Sequence, residues 1–149
     1  INNLIIKNDN MSLNYFINTA LIDSKYLSSY INGVEGKKVE FVPNINLKTG
    51  VKFGFSNFIF NIQYSFISKQ FTDSSNALEG NLSGIIGQIP EYQLLDISLS
   101  YLIRNFRFET GVNNATNSLY FTRRATGYPG PGIIPSPPRN FYLTFQIKI

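Results

Sequence analysis

The last nine residues of the chain, 141–149, alternate apolar and polar side chains up to the final position. One face of the resulting strand carries Phe141, Leu143, Phe145, Ile147 and Ile149. A strand of about 9 to 11 tilted residues crosses a bilayer, so this stretch has the length and the pattern of a transmembrane β-strand. A short strand of a soluble sandwich shows the same alternation. The interpretation therefore depends on whether the pattern recurs upstream.

The same period-two alternation does recur along the whole chain. It occupies seven segments, at 2–7, 11–23, 44–55, 58–71, 92–103, 106–114 and 140–149. One face of each segment carries large aliphatic and aromatic side chains, and the other carries small residues, amides and charges, which suits lipid on one side and water on the other. A soluble ligand-binding barrel has the same periodicity with its faces reversed. Periodicity alone leaves the direction of the faces open.

The connections between these segments alternate between short and long. Residues 8–10, 56–57 and 104–105 form tight turns, whereas 24–43, 72–91 and 115–139 are each twenty residues or longer. Short turns at one rim and long loops at the other are typical of bacterial outer-membrane barrels, in which the long loops are extracellular. We therefore predict an all-β, transmembrane antiparallel barrel architecture, and a soluble barrel leaves this alternation unexplained.

Composition narrows the function further. The chain contains no cysteine and no histidine, which removes thiol catalysis, zinc-thiolate sites and the commonest general base. It also contains no apolar run of about 18 residues, so a transmembrane helix is excluded. The net charge of +4 comes from scattered basic residues rather than a basic run. We predict a protein that is not an enzyme, has no cofactor and has no nucleic-acid partner.

A proline-rich segment lies in the last long loop. Residues 127–138 contain five of the seven prolines of the chain and three of its glycines. Proline fixes φ and lacks an amide donor, which disfavours a regular strand. The sequence predicts a stiff, irregular loop here.

At this segment the sequence resembles the C-terminal end of TonB-dependent outer-membrane receptors, most closely the ferric-dicitrate-receptor-like branch that is common in Bacteroidetes. The resemblance rests on YFTRRATGYPGPGIIP at 120–135, RNFYLT at 139–144, QFTD at 70–73, GQIPEY at 87–92 and GVNNATN at 111–117. The positions that match the family motifs are Asp73, Pro90, Asn114, Gly127, Pro129, Gly130, Pro131 and Gly132. The likeness covers most of the chain and is strongest from about residue 69 onward.

The resemblance implies a plugged barrel of roughly 22 strands, to which residues 1–149 contribute about seven C-terminal strands and no plug domain. Single-chain bacterial barrels have even strand numbers, so seven strands are not expected to close on themselves. The chain also opens with Ile1 rather than methionine. We expect either a piece of a larger protein or a chain whose remaining strands come from a partner.

The function that the resemblance implies is uptake of a scarce extracellular ligand, an iron chelate of the siderophore or citrate type, across the bacterial outer membrane. The implied partners are outer-membrane lipid, the rest of the barrel and its plug, and TonB acting indirectly through the plug. The alternative is a structural barrel component that anchors a multiprotein assembly in the outer membrane without transport.

The candidate ligand-binding residues are Arg123, Arg124 and Tyr128, in the last long loop. Paired guanidinium groups bind anionic chelates through charge-assisted hydrogen bonds. The alternative is that these are solvated loop charges, or charges that pair with lipopolysaccharide or a neighbouring loop.

The remaining charged residues offer weaker candidates. Asp73, Glu79 and Glu91 lie in one long loop, but their spacing matches no calcium-binding loop, so we predict no metal site. Arg107 and Glu109 lie on a strand face expected to point inward. They are candidates either for contact with a plug or for an ion pair within the barrel wall.

Overall fold

Seven long strands pair in one antiparallel sheet. The computed structural model describes residues 2–8, 10–127 and 130–148. The strands are β1 (Asn2–Lys7), β2 (Met11–Leu21), β3 (Ile45–Phe55), β4 (Phe58–Ile67), β5 (Gln70–Phe71), β6 (Gln88–Ile89), β7 (Tyr92–Ile103), β8 (Phe106–Asn113), β9 (Phe121–Ala125), β10 (Gly132–Pro135) and β11 (Asn140–Ile147). The large sheet has the order β1-β2-β3-β4-β7-β8-β11. No helix in the described ranges is long and apolar enough to cross a membrane.

The short connections are tight hairpin turns, as the sequence predicts. Ser56 and Arg104 have positive φ values of 51° and 52° at the first position of two-residue turns. Such a backbone twist matches the right-handed twist of the flanking strands. At the first turn, the Asn8 side chain accepts a hydrogen bond from the Met11 amide at 2.8 Å. The two-residue turns set the register of the β3–β4 and β7–β8 hairpins, and the β1–β2 ladder has a register shift between Leu4 and Ile6.

The long strands follow the predicted segments, with one clear correction. The prediction for 92–103 matches β7 at both ends, but the segment 58–71 is not a single strand because β4 ends at Ile67. The Ser68 hydroxyl accepts a hydrogen bond from the Ile45 amide at 2.9 Å, at the end of the β3–β4 ladder. Beyond it, β5 leaves the large sheet and pairs with β6.

The register separates the sheet into an apolar and a polar face. One cross-strand row on the apolar face comprises Leu13, Phe53, Phe60, Leu99, Thr110 and Leu143. The neighbouring row on the polar face comprises Asn14, Lys52, Asn61, Ser98, Gly111 and Tyr142. The predicted alternation is therefore aligned across six neighbouring strands.

The exposure of the two faces gives the direction of the curvature. Apolar side chains such as Leu143, which is 79% exposed, point outward. On the polar face, Ser100 is only 5% exposed, and a groove runs along the same side. The polar face is therefore concave and the apolar face convex. This direction is opposite to that of a soluble barrel, which holds its apolar face inside.

Aromatic contacts reinforce the apolar face near the short-turn rim. The ring of Phe145 lies 5.8 Å from that of Phe106 and 5.0 Å from that of Phe108, and Phe58 lies 4.5 Å from Tyr101. Aromatic pairs contribute about 0.5–1.5 kcal/mol beyond simple burial. These cross-strand contacts stabilise the end of the sheet where the connections are shortest.

Two small two-stranded sheets lie within the long connections, and one corrects the prediction for 127–138. In that segment β10 pairs with β9, with a register shift between Ile133 and Pro135. A two-stranded ribbon consists of edge strands, where a missing amide and a bulge are tolerated. The segment is therefore partly a hairpin, although proline-rich.

Candidate ligand-binding site in the long loops

All three long connections lie at one rim of the sheet, where they are folded rather than merely extended. We call residues 22–44, 68–91 and 114–139 the first, second and third long loops. Val34 in the first loop is 4% exposed and Ile89 in the second is fully buried. Most large apolar side chains of the sheet are exposed by comparison. The loops therefore contain the best-buried apolar side chains of the described chain.

The first long loop is held by a side-chain contact across its base. The Tyr26 hydroxyl donates a hydrogen bond to the Glu40 carboxylate at 2.5 Å. Mainly because of this hydrogen bond, with burial and the carboxylate charge adding to it, the pKa of Tyr26 is raised above its usual 10.0. Lys25 and Lys38 also form a backbone bridge. Together these contacts join the two arms of the loop.

In the second long loop, the family-motif residue Asp73 caps a turn. Its carboxylate accepts hydrogen bonds from the Ser75 amide at 3.0 Å and the Ala77 amide at 3.3 Å. Nearby, Thr72 both donates to the Gly87 carbonyl at 2.8 Å and accepts from the Gly87 amide at 3.0 Å. The Asp73 carboxylate therefore accepts hydrogen bonds from backbone amides of its own loop.

Asn76 connects the first loop to the second, a role that our sequence analysis did not assign. Its side-chain oxygen accepts from the Lys38 amide at 2.7 Å, and its side-chain nitrogen donates to the Lys38 carbonyl at 2.9 Å. The Asn76 backbone has a φ of 55°, which asparagine tolerates better than most residues. An asparagine in a serine-rich turn was the available signal.

The third long loop begins at the family-motif residue Asn114, which is 3% exposed. Its side chain accepts from the Ser118 amide at 2.8 Å and donates to the Ser118 carbonyl at 2.9 Å. Its backbone amide donates to the Asp96 carboxylate at 2.9 Å. Tyr120 stacks on Tyr92 of β7 at 4.8 Å. The loop is therefore anchored to the top of the sheet.

The two arginines predicted to bind ligand have different environments. Both lie on β9, where adjacent side chains point to opposite faces. Arg123 is exposed, whereas Arg124 is half-buried. Arg124 donates to the Gly84 carbonyl at 2.8 Å and to the Gln88 carbonyl at 3.1 Å, both in the second loop. Only Arg123 presents its guanidinium group openly to solvent.

Of the other predicted positions that the structure describes, Gly127, Gly130, Pro131 and Gly132 lie after β9 or at the start of β10, and Pro90 follows β6. Gly127 precedes the two residues Tyr128 and Pro129, which lie outside the described ranges. Gly130 and Gly132 have φ values of 159° and 129°. The remaining motif prolines, Pro90 and Pro131, are exposed.

A groove lies on the concave face below the loops. Its volume is about 560 Å³. The polar residues that line it include Asn14, Lys52, Gln63, Asp96, Asn113 and Tyr142, and the ring of Phe16 lies among them. The lining therefore combines amides, hydroxyls and charges with apolar surface.

The charged candidates on the concave face and in the second loop do not cluster. Glu109 accepts a hydrogen bond from the Tyr142 hydroxyl at 3.2 Å, and the one ion pair in the described ranges joins Lys25 to Asp23. The ion-pair interpretation for Arg107 and Glu109 therefore has no support. Within those ranges, no three carboxylates come together to hold a metal ion.

Comparison with known proteins identifies similar folds. No family model matches the sequence. The chain matches the crystal structure of the ferric citrate transporter FecA in its unliganded form, with a TM-score of 0.83 and 25% identity over 93% of this chain. The siderophore receptor PiuA from Acinetobacter baumannii gives a TM-score of 0.73 and 16% identity over 98%. The ferric yersiniabactin uptake receptor FyuA from Yersinia pestis gives 0.72 and 18% over 94%.

The match is to one part of each larger protein. The chain covers 21%, 20% and 21% of FecA, PiuA and FyuA, about a fifth of their length. The predicted fold class is confirmed, because the all-β sheet of seven antiparallel strands matches barrel strands of these receptors. All three are named as transporters or receptors rather than enzymes.

Proposed function

We propose that this chain is a barrel segment of a TonB-dependent outer-membrane receptor that takes up a scarce ferric chelate, of the siderophore or citrate type. The observation that carries the proposal is the match to FecA over 93% of the chain with a TM-score of 0.83. The motif resemblance to the ferric-dicitrate-receptor-like branch found in Bacteroidetes is consistent with the same assignment.

The surface of the sheet supports placement in a membrane. The convex face carries a band of exposed apolar side chains, and the concave face is polar. In a barrel wall, the first faces lipid and the second faces the interior. The long loops then lie at the extracellular rim, and the short turns face the periplasm. Outer-membrane lipid, the remaining barrel strands and a plug are the expected partners, with TonB acting through the plug.

In this proposal, the third long loop contacts the ferric chelate. Ferric citrate and many siderophore complexes are anionic, and guanidinium groups bind such anions through charge-assisted hydrogen bonds. Arg123 is exposed on β9 and is available for this contact. Tyr128, which lies outside the described residues, remains a proposed contact on the strength of the sequence, and Arg124 supports the loop.

The test is uptake of radiolabelled iron, supplied as ferric citrate or as a ferric siderophore, by cells that carry the full-length protein. We expect Arg123→Gln to weaken ligand binding by about tenfold, which corresponds to one lost charged contact, and to lower uptake at subsaturating ligand accordingly. Arg104→Gln, at the short-turn rim, is the matched control and should leave uptake unchanged. An anchoring component without transport predicts no uptake of ferric citrate or of a ferric siderophore by the unchanged protein, and that result would remove the proposal.

A further inference from the structure

Two of the long loops are joined by one guanidinium group. Arg124 extends from β9 in the third loop and reaches the carbonyls of Gly84 and Gln88 in the second, at 2.8 and 3.1 Å. These two acceptors lie four residues apart along the chain. The planar guanidinium fork donates to both at once, which a single ammonium group cannot do with the same geometry.

The backbones of the two loops also approach closely at this point. A Cβ atom built on Gly84 lies 3.1 Å from the Cα atom of Gly132. Gly84 and Gly132 both have positive φ values, 70° and 129°. Arg124 therefore spans a junction in which glycine backbones already touch.

The surroundings of Arg124 explain why its charge is directed inward. The guanidinium carbon lies 5.3 Å from the centre of the Phe121 ring, a cation–π distance. Its Nε atom is buried and has no acceptor among the described residues. The carbonyl oxygens and the ring are the groups that compensate for its lost hydration.

The tip of the second loop has few contacts outside its own loop besides those with Arg124 and the third loop. A Cβ atom on Gly87 would lie 2.9 Å from the Cα atom of Gly80, so the two arms of the turn are in contact. At its tip, Leu82 is 110% exposed and has no packing of its own. We expect this tip to move as a unit once the tie to the third loop is removed.

We propose that Arg124 is a positioning residue that locks the second long loop onto the β9–β10 hairpin, so that the two loops present Arg123 as one rigid capture surface. The ligand-binding part of this proposal rests on the proposed function, whereas the loop lock does not. Together with the contact between Asn76 and Lys38, the lock links all three long loops into one assembly.

The loop lock can be measured without any ligand. The chain has no cysteine, so in a full-length protein whose cysteines outside this chain are replaced by serine, spin labels can be placed at Leu82→Cys and Leu119→Cys, two residues that are 110% and 91% exposed. In the full-length protein, Arg124→Ala should broaden the distribution of distances between the labels. Arg124→Lys should give an intermediate width, and Arg123→Ala should leave it narrow. A narrow distribution in folded Arg124→Ala protein would overturn the proposal.

Binding of ferric citrate then separates positioning from direct contact. We expect Arg123→Ala to weaken binding with the narrow distribution retained, and Arg124→Ala to weaken binding by about tenfold with the distribution broadened. Weaker binding of Arg124→Ala with a narrow distribution would instead make Arg124 a ligand contact. If the unchanged protein binds neither ferric citrate nor a ferric siderophore, the proposed function fails, and the label distances alone still decide the lock.

Discussion

The seven-stranded sheet and the long loops are ordered by different kinds of interaction. In the sheet, backbone hydrogen bonds set the structure, and side chains need only be apolar on one face and polar on the other. In the loops, individual side chains replace missing backbone partners, as Asn76, Asn114 and Arg124 do. We infer that the sheet tolerates many substitutions that keep its pattern, whereas the loops depend on particular residues.

The strongest test of this contrast places a charge on either face of the same strand. Ile62 lies in the middle of β4 on the convex face, 37% exposed, and Gln63 lies beside it on the concave face. We expect Ile62→Arg to lower the free energy of unfolding in phospholipid vesicles by about 2–4 kcal/mol, because the charge must enter lipid. Gln63→Arg is the control and should cost much less. Equal losses would show that the convex face does not meet lipid.

Packing on the concave face provides the next largest effect. A Cβ atom on Gly50 would lie 2.6 Å from the Ile62 carbonyl oxygen, which belongs to the backbone and cannot move aside. Gly50→Ala should therefore lower the free energy of unfolding by about 1–3 kcal/mol. At Gly54 the close atom is the Ser12 hydroxyl, which can rotate. Gly54→Ala should be better tolerated, and the reverse order would contradict the account.

A loop substitution should act locally rather than on the whole sheet. Asn114→Ala removes two hydrogen bonds to the Ser118 backbone, worth about 1–2 kcal/mol together. We expect faster amide hydrogen exchange at residues 114–118 with unchanged protection in β7. Asn113→Ala, which affects only an exposed side-chain contact with Asn140, is the neighbouring control. Uniform loss of protection across the sheet would show that loop and sheet are not separate.

The smallest effect concerns a tight turn. Arg104 has a φ of 52°, a region that costs an ordinary residue about 1–2 kcal/mol. Arg104→Gly should raise the free energy of unfolding by about 0.5 kcal/mol after the greater flexibility of glycine in the unfolded chain is included. Arg139→Gly, outside the residues with positive φ, should lower it slightly. A loss at both positions would mean that the turn is not strained.

The same contrast explains which features the sequence predicts. The period-two pattern predicts β7 at both ends, because every residue from Tyr92 to Ile103 stays in the ladder. It misses the end of β4, where the Ser68 amide still donates to the Ile45 carbonyl but the Ser68 hydroxyl, rather than a backbone carbonyl, accepts from the Ile45 amide. The alternation of apolar and polar residues does not indicate where a side chain takes the place of a backbone group in a hydrogen bond.

The loop contacts are harder to predict for a related physical reason. Arg123 and Arg124 are adjacent in the sequence, which suggests one shared role. On a strand, however, adjacent side chains point to opposite faces. The sequence does not predict the β9–β10 hairpin, because its prolines argue against a strand. Here they are tolerated because both strands are edge strands. Partners such as Gly84 lie 40 residues from Arg124, and nothing in the local sequence indicates that distance.

The most direct test of the central claim is the sidedness of the two rims in intact cells. Leu82 in the second long loop and Asn57 in a short turn are both exposed. Leu82→Cys and Asn57→Cys are each made in a full-length protein whose other cysteines are replaced by serine, and each variant is treated with a membrane-impermeant maleimide. A receptor barrel in the outer membrane predicts labelling at residue 82 in intact cells and at residue 57 only after the outer membrane is permeabilised. Equal labelling of both residues in intact cells would contradict the account.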